Sequence, residues 1–157
     1  MTPTAAVQSR LAKQSRKLLA VVRDRLKQSH ATRGLGFHVE SVESGLAVFR
    51  MRVKKRHRQI HGVVHGGVLA TLADTVAALA AYSALPRGSE IATIEMNINF
   101  LEAVHSGEIR AEARVLRTGR NFVVVECEIR NEDGSLAAKS LLTFGAIADR
   151  VAANLKH

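Results

Sequence analysis

The sequence predicts an α+β fold in which an antiparallel β-sheet wraps around one long buried central helix, with an extra N-terminal helix. Residues 68–81 form an alanine-rich run that contains a single charge. Two strand-like segments precede this run and four follow it. Residues 5–29 carry apolar side chains at helical spacing. Because a sheet with one apolar face must cover that face, the apolar run is its natural partner. A chain of 157 residues is long enough to bury such a core in one domain.

The central helix is predicted from residues 68–81, in which Asp74 is the only ionisable side chain. Alanine and leucine favour helix, and the apolar residues lie on every face, which is typical of a helix covered on most sides. Burying an unpaired carboxylate is costly, so Asp74 is expected to have a chemical role. The alternative is a capping or ion-paired aspartate, which its mid-helix position and the lack of a nearby basic residue disfavour.

The six strands are predicted from alternating apolar and polar residues between glycine-containing turns. In one of them Ile94, Met96, Ile98 and Phe100 alternate with polar side chains, which places these four on one face. The predicted strands span residues 37–43, 46–53, 91–101, 108–117, 122–130 and 136–147. The sheet and central helix are therefore expected to form a domain at residues 34–148, after an accessory helix in residues 1–33 and before a tail at 149–157.

The net charge of +9 is concentrated near the N-terminus. Residues 1–30 contain seven basic side chains and one acid, Asp24, a net of +6. Nucleic acid, an anionic membrane surface, a phosphate-bearing substrate or simple solvation of a helix face would each account for this bias. The same helix carries an apolar stripe of Val7, Leu11, Leu18, Val22 and Leu26. We expect this stripe to pack on the domain, outside the catalytic core and with no specific nucleic-acid role.

Several kinds of site are excluded by what the sequence lacks. It has no glycine-rich phosphate-binding loop, and its histidines His57, His61 and His65 lie in a glycine-interrupted loop without a nearby carboxylate, so no metal site is expected. Cys127 is the single cysteine and shares an apolar strand face, which favours a buried side chain over a catalytic thiol.

The longest apolar stretch does not predict a membrane span. Residues 63–85 contain His65, two glycines and Asp74, so we expect no stable membrane insertion. The N-terminal segment has no apolar core of a secretory signal, and the cytoplasm is the expected compartment.

The residues around Asp74 resemble a known family. The chain is similar to the hot-dog-fold acyl-CoA thioesterases in three features. Gln59 is followed after six intervening residues by Gly66-Gly67, a carboxylate lies eight residues beyond Gly66, and four strands come next. The resemblance covers about residues 35–147 and is strongest to the branch with the phenylacetate-pathway (PaaI-like) and 4-hydroxybenzoyl-CoA thioesterases. The chain mixes the two, because the phenylacetate members usually carry Asn at the Gln59 position and the 4-hydroxybenzoyl members often carry Glu at the Asp74 position.

The resemblance implies a role for each site residue. The Gly66 N–H would polarise the thioester carbonyl, and Asp74 would act as nucleophile or as the base that activates water. Gln59 would orient the carbonyl or the water, Thr93 would hold the water, and His65 would shape the site. The resemblance places Gly67 beside the substrate carbonyl and implies that the turn Gly119-Arg120-Asn121 contacts the nucleotide end of CoA. No cofactor is expected, because CoA is part of the substrate.

The spacing of Gly66 and Asp74 also constrains assembly. Eight helical residues span roughly 12 Å, so one carbonyl cannot contact both residues of a single helix. A two-fold dimer would place Gly66 of one chain near Asp74 of the other and create two equal sites. The spacing therefore predicts a homodimer at least, and the resemblance implies a dimer of dimers, a homotetramer.

Two other functions share the same fold and stay open at this point. A non-catalytic acyl-CoA-binding regulator would use the basic N-terminal helix, although one helix is too short for a helix-turn-helix and Asp74 would be needless. A hydratase or dehydratase would use His65 and Asp74 as an acid–base pair. The acyl group is also open, since the alanines beside Tyr82 leave space for an aryl or for a medium-to-long alkyl chain.

Overall fold

A computed structural model describes the backbone of residues 5–86 and 88–147 and, Ala146 apart, the side chains from residue 15 onward. It confirms the predicted fold: six antiparallel strands curve around one long helix, and a further helix precedes them. The predicted tail at 149–157 and the side chains of Val7 and Leu11 lie outside the described residues.

The described elements follow the predicted order. The helices are α1 (Ala5–Gln28), α2 (His30–Arg33) and α3 (Gly66–Ala84), and one turn of 3₁₀ helix spans Lys55–His57. The strands are β1 (Phe37–Glu43), β2 (Leu46–Arg52), β3 (Ile91–Phe100), β4 (Glu108–Thr118), β5 (Phe122–Arg130) and β6 (Leu136–Ala146). Their order across the sheet is β1-β2-β4-β5-β6-β3, so β3 is an edge strand.

The central helix α3 packs one side against the concave face of the sheet. Its inward residues include Leu72, Ala73 and Val76, each fully buried, and they meet the buried side chains of β2, β4, β5 and β6. By length and mean hydropathy (1.4) α3 also resembles a membrane span, but its position against the sheet makes it the core helix of the domain. Burial on the sheet side explains why an Ala-rich helix without surface charge is stable here.

The opposite side of α3 is more open than a helix covered on most sides would be. Thr71, Asp74, Thr75 and Ala78 are only half-buried, because the sheet wraps one side and nothing in the described part of the chain covers the other. The face that carries Asp74 is therefore open within one chain.

The N-terminal helix α1 packs against the domain. Val22 is fully buried, and Leu18, Leu19 and Leu26 are partly buried against the core. The helix ends at Gln28, one residue before the end of the segment 5–29 that the sequence predicts. Ser29 then caps the short helix α2 by accepting a hydrogen bond from the Thr32 N–H.

Strand β3 contains a bulge that the alternation does not predict. Thr93 pairs with Phe144, whereas Glu95 pairs with the preceding residue of β6, Thr143, so Ile94 is an extra residue in the ladder. Ile94 therefore leaves the face of Met96, against expectation, and is 61% exposed. Thr93 turns instead toward α3, which brings its hydroxyl to the helix.

Candidate active site

The first turn of α3 presents a free backbone donor. The His65 Nδ1 caps the helix by accepting a hydrogen bond from the Gly67 N–H at 2.8 Å. The Gly66 N–H donates to no acceptor among the described residues, so it is available at the partially positive end of the helix. It borders a cleft of about 320 Å³ between Val64, Leu69 and the end of β3.

A side chain at position 66 would meet the ring of Phe100. A Cβ built on Gly66 lies 3.2 Å from the Phe100 Cζ, which is tighter than an ordinary van der Waals contact. Glycine therefore lets the end of β3 approach the helix N-terminus, and it leaves the N–H accessible to a ligand atom.

Asp74 lies two turns further along α3, on the open side. Its Oδ1 accepts a hydrogen bond of 2.7 Å from the Thr93 hydroxyl, and it forms no salt bridge with any described residue. Asp74 is half-buried, and no hydrogen bond to its second oxygen occurs among the described residues. This arrangement does not match a cap or a structural ion pair, and it leaves the carboxylate free to act on a bound group.

Gly66 and Asp74 lie far apart within one chain. Phe100 contacts Gly66 and Thr93 contacts Asp74, so the two positions lie at opposite ends of β3. Together with roughly 12 Å of helix between them, this separation prevents both from contacting one carbonyl in a single chain.

Gln59 belongs to a compact loop before α3. Its N–H donates to the Val63 carbonyl at 2.8 Å, and its Oε1 accepts a hydrogen bond from the His61 N–H at 2.9 Å. A bridge between Arg58 and Val64 closes the loop. The side-chain hydrogen bond stays inside the loop, so the single chain does not join Gln59 to Asp74 or to Gly66.

His57 is a site neighbour that the sequence analysis did not identify. Its side chain is 1% exposed, its Nδ1 accepts a hydrogen bond from the Lys54 N–H, and its carbonyl accepts one from the His65 N–H at 2.8 Å. Burial, and then the nearby charge of Arg56, lowers the pKa of the ring, so it stays neutral at pH 7. These hydrogen bonds fix the backbone just before Gly66. The sequence gives no sign that His57 is buried, because the loop around it is strongly basic.

The remaining predicted residues lie elsewhere. Gly119, Arg120 and Asn121 are exposed at the turn between β4 and β5, where the Gly119 N–H donates to the Phe122 carbonyl at 2.8 Å. Cys127 is buried, and that burial raises the pKa of its thiol to about 12, so it has no thiolate to act as a nucleophile at neutral pH. No group of three or more metal-ligating side chains occurs in the part of the chain that the structure describes.

Comparison with known proteins decides the family. The model of the Thioesterase superfamily matches residues 61–138, which contain α3 and the strands on either side of the candidate site. A putative esterase of Haemophilus influenzae is 33% identical over 79% of this chain and 90% of its own length. The chain belongs to the thioesterase superfamily.

Relatives in this family include a named thioester hydrolase. A 1,4-dihydroxy-2-naphthoyl-CoA hydrolase of Listeria monocytogenes is 30% identical over 70% of this chain and 89% of its own. The chain is accordingly a thioester hydrolase of the hot-dog fold.

Solved structures show the same fold. The PaaI protein of the Escherichia coli phenylacetic acid degradation operon superposes with a TM-score of 0.79 at 27% identity, covering 86% of this chain and 96% of that one. The Streptococcus mutans protein smu.793, solved with bound acetyl-CoA, superposes with a TM-score of 0.68 at 25% identity, covering 72% and 90%. The PaaI-like resemblance is therefore confirmed.

Proposed function

We propose that the protein hydrolyses acyl-CoA thioesters, with Asp74 of one chain and the Gly66 N–H of a second chain acting on the same carbonyl. The observation that carries this proposal is the pair formed by Asp74 and Thr93 on the open side of α3. A carboxylate without a salt bridge, held by a hydroxyl and facing an uncovered surface, is suited to act on a bound substrate.

Each residue has a step in the reaction. The thioester oxygen accepts a hydrogen bond from the Gly66 N–H, and the positive end of α3 stabilises the negative charge that develops there. Asp74 removes a proton from water, whose oxygen bonds to the carbonyl carbon as the C–S bond breaks and the CoA thiolate takes up a proton. In the nucleophilic variant, Asp74 itself bonds to the carbonyl carbon as the C–S bond breaks, the CoA thiolate leaves and takes up a proton, and water then hydrolyses the anhydride to free acid and the Asp74 carboxylate.

The other predicted residues support this chemistry. Thr93 orients Asp74 and the attacking water, and Gln59 orients the carbonyl or the water once a second chain brings the loop to the site. His65 holds the first turn of α3 through its bond to the Gly67 N–H. No metal or cofactor takes part in this scheme, and a cytoplasmic location is part of the same proposal.

Unpaired surfaces around the site support the dimer. β3 is an edge strand of ten residues, so its backbone is available to pair with another β3. Phe100 and Leu101 near its end are 53% and 58% exposed, and the half-buried side of α3 lies beside them. A two-fold axis through β3 would cover these surfaces and bring the two helices together. Exposed Ile94, Leu116, Phe122 and Leu141 offer a further apolar surface for a dimer of dimers.

The relatives support the proposed substrate class. One relative acts on a CoA thioester and one structural neighbour binds acetyl-CoA. In this chain the Gly119-Arg120-Asn121 turn supplies an exposed guanidinium for the phosphates of CoA.

Thiol release from a panel of acyl-CoA thioesters tests the function. Aryl-CoA and alkyl-CoA substrates should release CoA, detected with a thiol reagent, in the presence of EDTA as well as in its absence. Loss of activity in EDTA would overturn the metal-free scheme. Tight acyl-CoA binding without release would indicate the regulator, and hydration of an enoyl-CoA without release would indicate the hydratase.

A further inference from the structure

The open side of α3 does not end at Asp74. Ala78 lies one turn further on, and Tyr82 and Leu85 continue the same side to the end of the helix. Ala78 has the smallest side chain of the four and is half-buried, so side-chain bulk is least between Asp74 and Tyr82. An apolar group that starts at Asp74 would run over Ala78 toward Tyr82.

Tyr82 and Leu85, at the far end of this side, line an apolar cavity between α3 and α1. The cavity has a volume of about 400 Å³ and is lined by Leu18 and Val21 of α1 and by Tyr82, Leu85 and Pro86 at the end of α3. Lys17 is the one charged residue in its lining. Val21 is 42% exposed because its side chain borders this space.

The wall that Tyr82 provides is held in place. The guanidinium of Arg25 stacks on the Tyr82 ring, 4.0 Å from its centroid, and donates hydrogen bonds to Glu90 at 2.8 and 3.3 Å. These contacts join α1, the end of α3 and the residue before β3. The cavity therefore has fixed walls rather than two helices that merely lie side by side.

We propose that the cavity between α1 and α3 receives the distal end of the acyl group, and that the enzyme prefers unbranched medium-to-long alkyl thioesters. This inference rests on the proposed function. Asp74 and Tyr82 are eight residues apart, roughly 12 Å along the helix, so a compact acyl group bound at Asp74 ends short of the cavity. An extended alkyl chain spans the gap and buries its end against Leu18 and Val21. These two residues belong to α1, which lies outside residues 61–138, the segment that matches the family model.

Filling the cavity from α1 tests the proposal. Val21→Leu, Val21→Phe and Val21→Trp add increasing bulk, and Arg16→Trp introduces the same indole at an exposed position outside the lining. The measurement is kcat/KM for saturated acyl-CoA substrates from acetyl to tetradecanoyl, with the melting temperature and the oligomeric state of each variant as checks. Each methylene that enters the apolar cavity should raise kcat/KM of the unmodified enzyme roughly fourfold.

The expected result is a preferred chain length that shortens stepwise from Val21→Leu to Val21→Trp, with activity on short acyl-CoA retained and Arg16→Trp unchanged. An identical chain-length profile in Val21→Trp and the unmodified enzyme would overturn the proposal while leaving thioester hydrolysis intact. A changed oligomeric state with an unchanged profile would overturn it too, because a second copy would then occupy the cavity. Absence of thiol release from every acyl-CoA would instead refute the proposed function itself.

Discussion

The two sides of α3 differ in how far residues of the same chain bury them. On the side facing the sheet, Leu72, Ala73 and Val76 are fully buried against strands of the same chain. The other side carries Asp74, is half-buried, and lies beside an unpaired strand edge. The comparison indicates that one chain suffices for the core, whereas the proposed chemistry needs a second.

Asp74→Asn should have the largest effect on catalysis and little effect on folding. The carboxylate acts in the chemical step, so kcat should fall by ~10³-fold or more. The amide oxygen can still accept the Thr93 hydrogen bond, which preserves the local structure. Asp24→Asn on the exposed surface of α1 is the matched control and should leave kcat unchanged. Near-normal kcat in the Asp74 variant would refute its catalytic role.

Leu72→Ala should produce the opposite pattern on the buried side. The substitution leaves a cavity in the core and should lower the free energy of unfolding by about 2–5 kcal/mol. The folded fraction should keep its kcat, since Leu72 is remote from the open side. Chemical denaturation monitored by circular dichroism measures the change, and Ile60→Ala at a 95% exposed position should cost far less. Equal losses for the two variants would contradict the described core.

Thr93→Val should give an intermediate loss. Removing the hydroxyl removes a hydrogen bond to a charged group, so kcat should fall on the order of tenfold to a hundredfold. The matched control is Thr75→Val, whose hydroxyl donates to the Thr71 carbonyl within α3 and not to Asp74. If both variants lost activity equally, Thr93 would have no special role in positioning Asp74.

Arg120→Ala should have the smallest effect, and on substrate affinity alone. Loss of an exposed contact to the CoA phosphates should raise KM by roughly threefold to tenfold while kcat changes little. Arg117→Ala, exposed on β4 just before the turn, serves as the control. A short thioester that lacks the nucleotide should be hydrolysed equally well by both variants. An equal rise in KM for the nucleotide-free thioester would show that Arg120 does not recognise the phosphates.

The sequence predicted the elements better than their details. Long alternating strands and an Ala-rich helix have distinct periods, so β1 and β5 agree with prediction at both ends. The other four strands begin where predicted and end within one residue of the prediction. The bulge at Ile94 was missed, because it depends on how β6 pairs with β3 rather than on the residues of β3 alone. That bulge is what turns Thr93 toward Asp74, a contact that strict alternation would forbid.

The site was predictable as a set of residues and not as an assembled geometry. Asp74 and the glycines before it stand out in the sequence because they differ from the residues around them. In the structure Asp74 and Thr93 form a hydrogen bond. Their catalytic roles stay predictions. The burial of His57 depends on packing beneath the loop, which composition does not encode. The open side of α3 carries Thr71, Asp74 and Thr75, the three polar residues of the run 68–81, a stripe that the sequence analysis did not use.

Complementation between subunits is the most direct test of the two-chain site. Gly66→Pro removes the N–H at the first position of α3, where proline is tolerated and where His65 already has the extended backbone that precedes proline. The exposed Phe100 ring must shift slightly to admit the new side chain. This variant and Asp74→Asn should each be inactive alone while remaining folded and dimeric.

Unfolding and refolding an equal mixture of the two variants yields dimers in which one chain contributes Gly66 and the other Asp74. With random pairing, half of the dimers are mixed and each has one intact site, so about a quarter of the activity of the unmodified enzyme should return. Differently tagged chains purified in tandem confirm that mixed dimers have formed. Mixed dimers with no regained activity, or full activity in a proven monomer of the unmodified protein, would contradict a site shared between two chains.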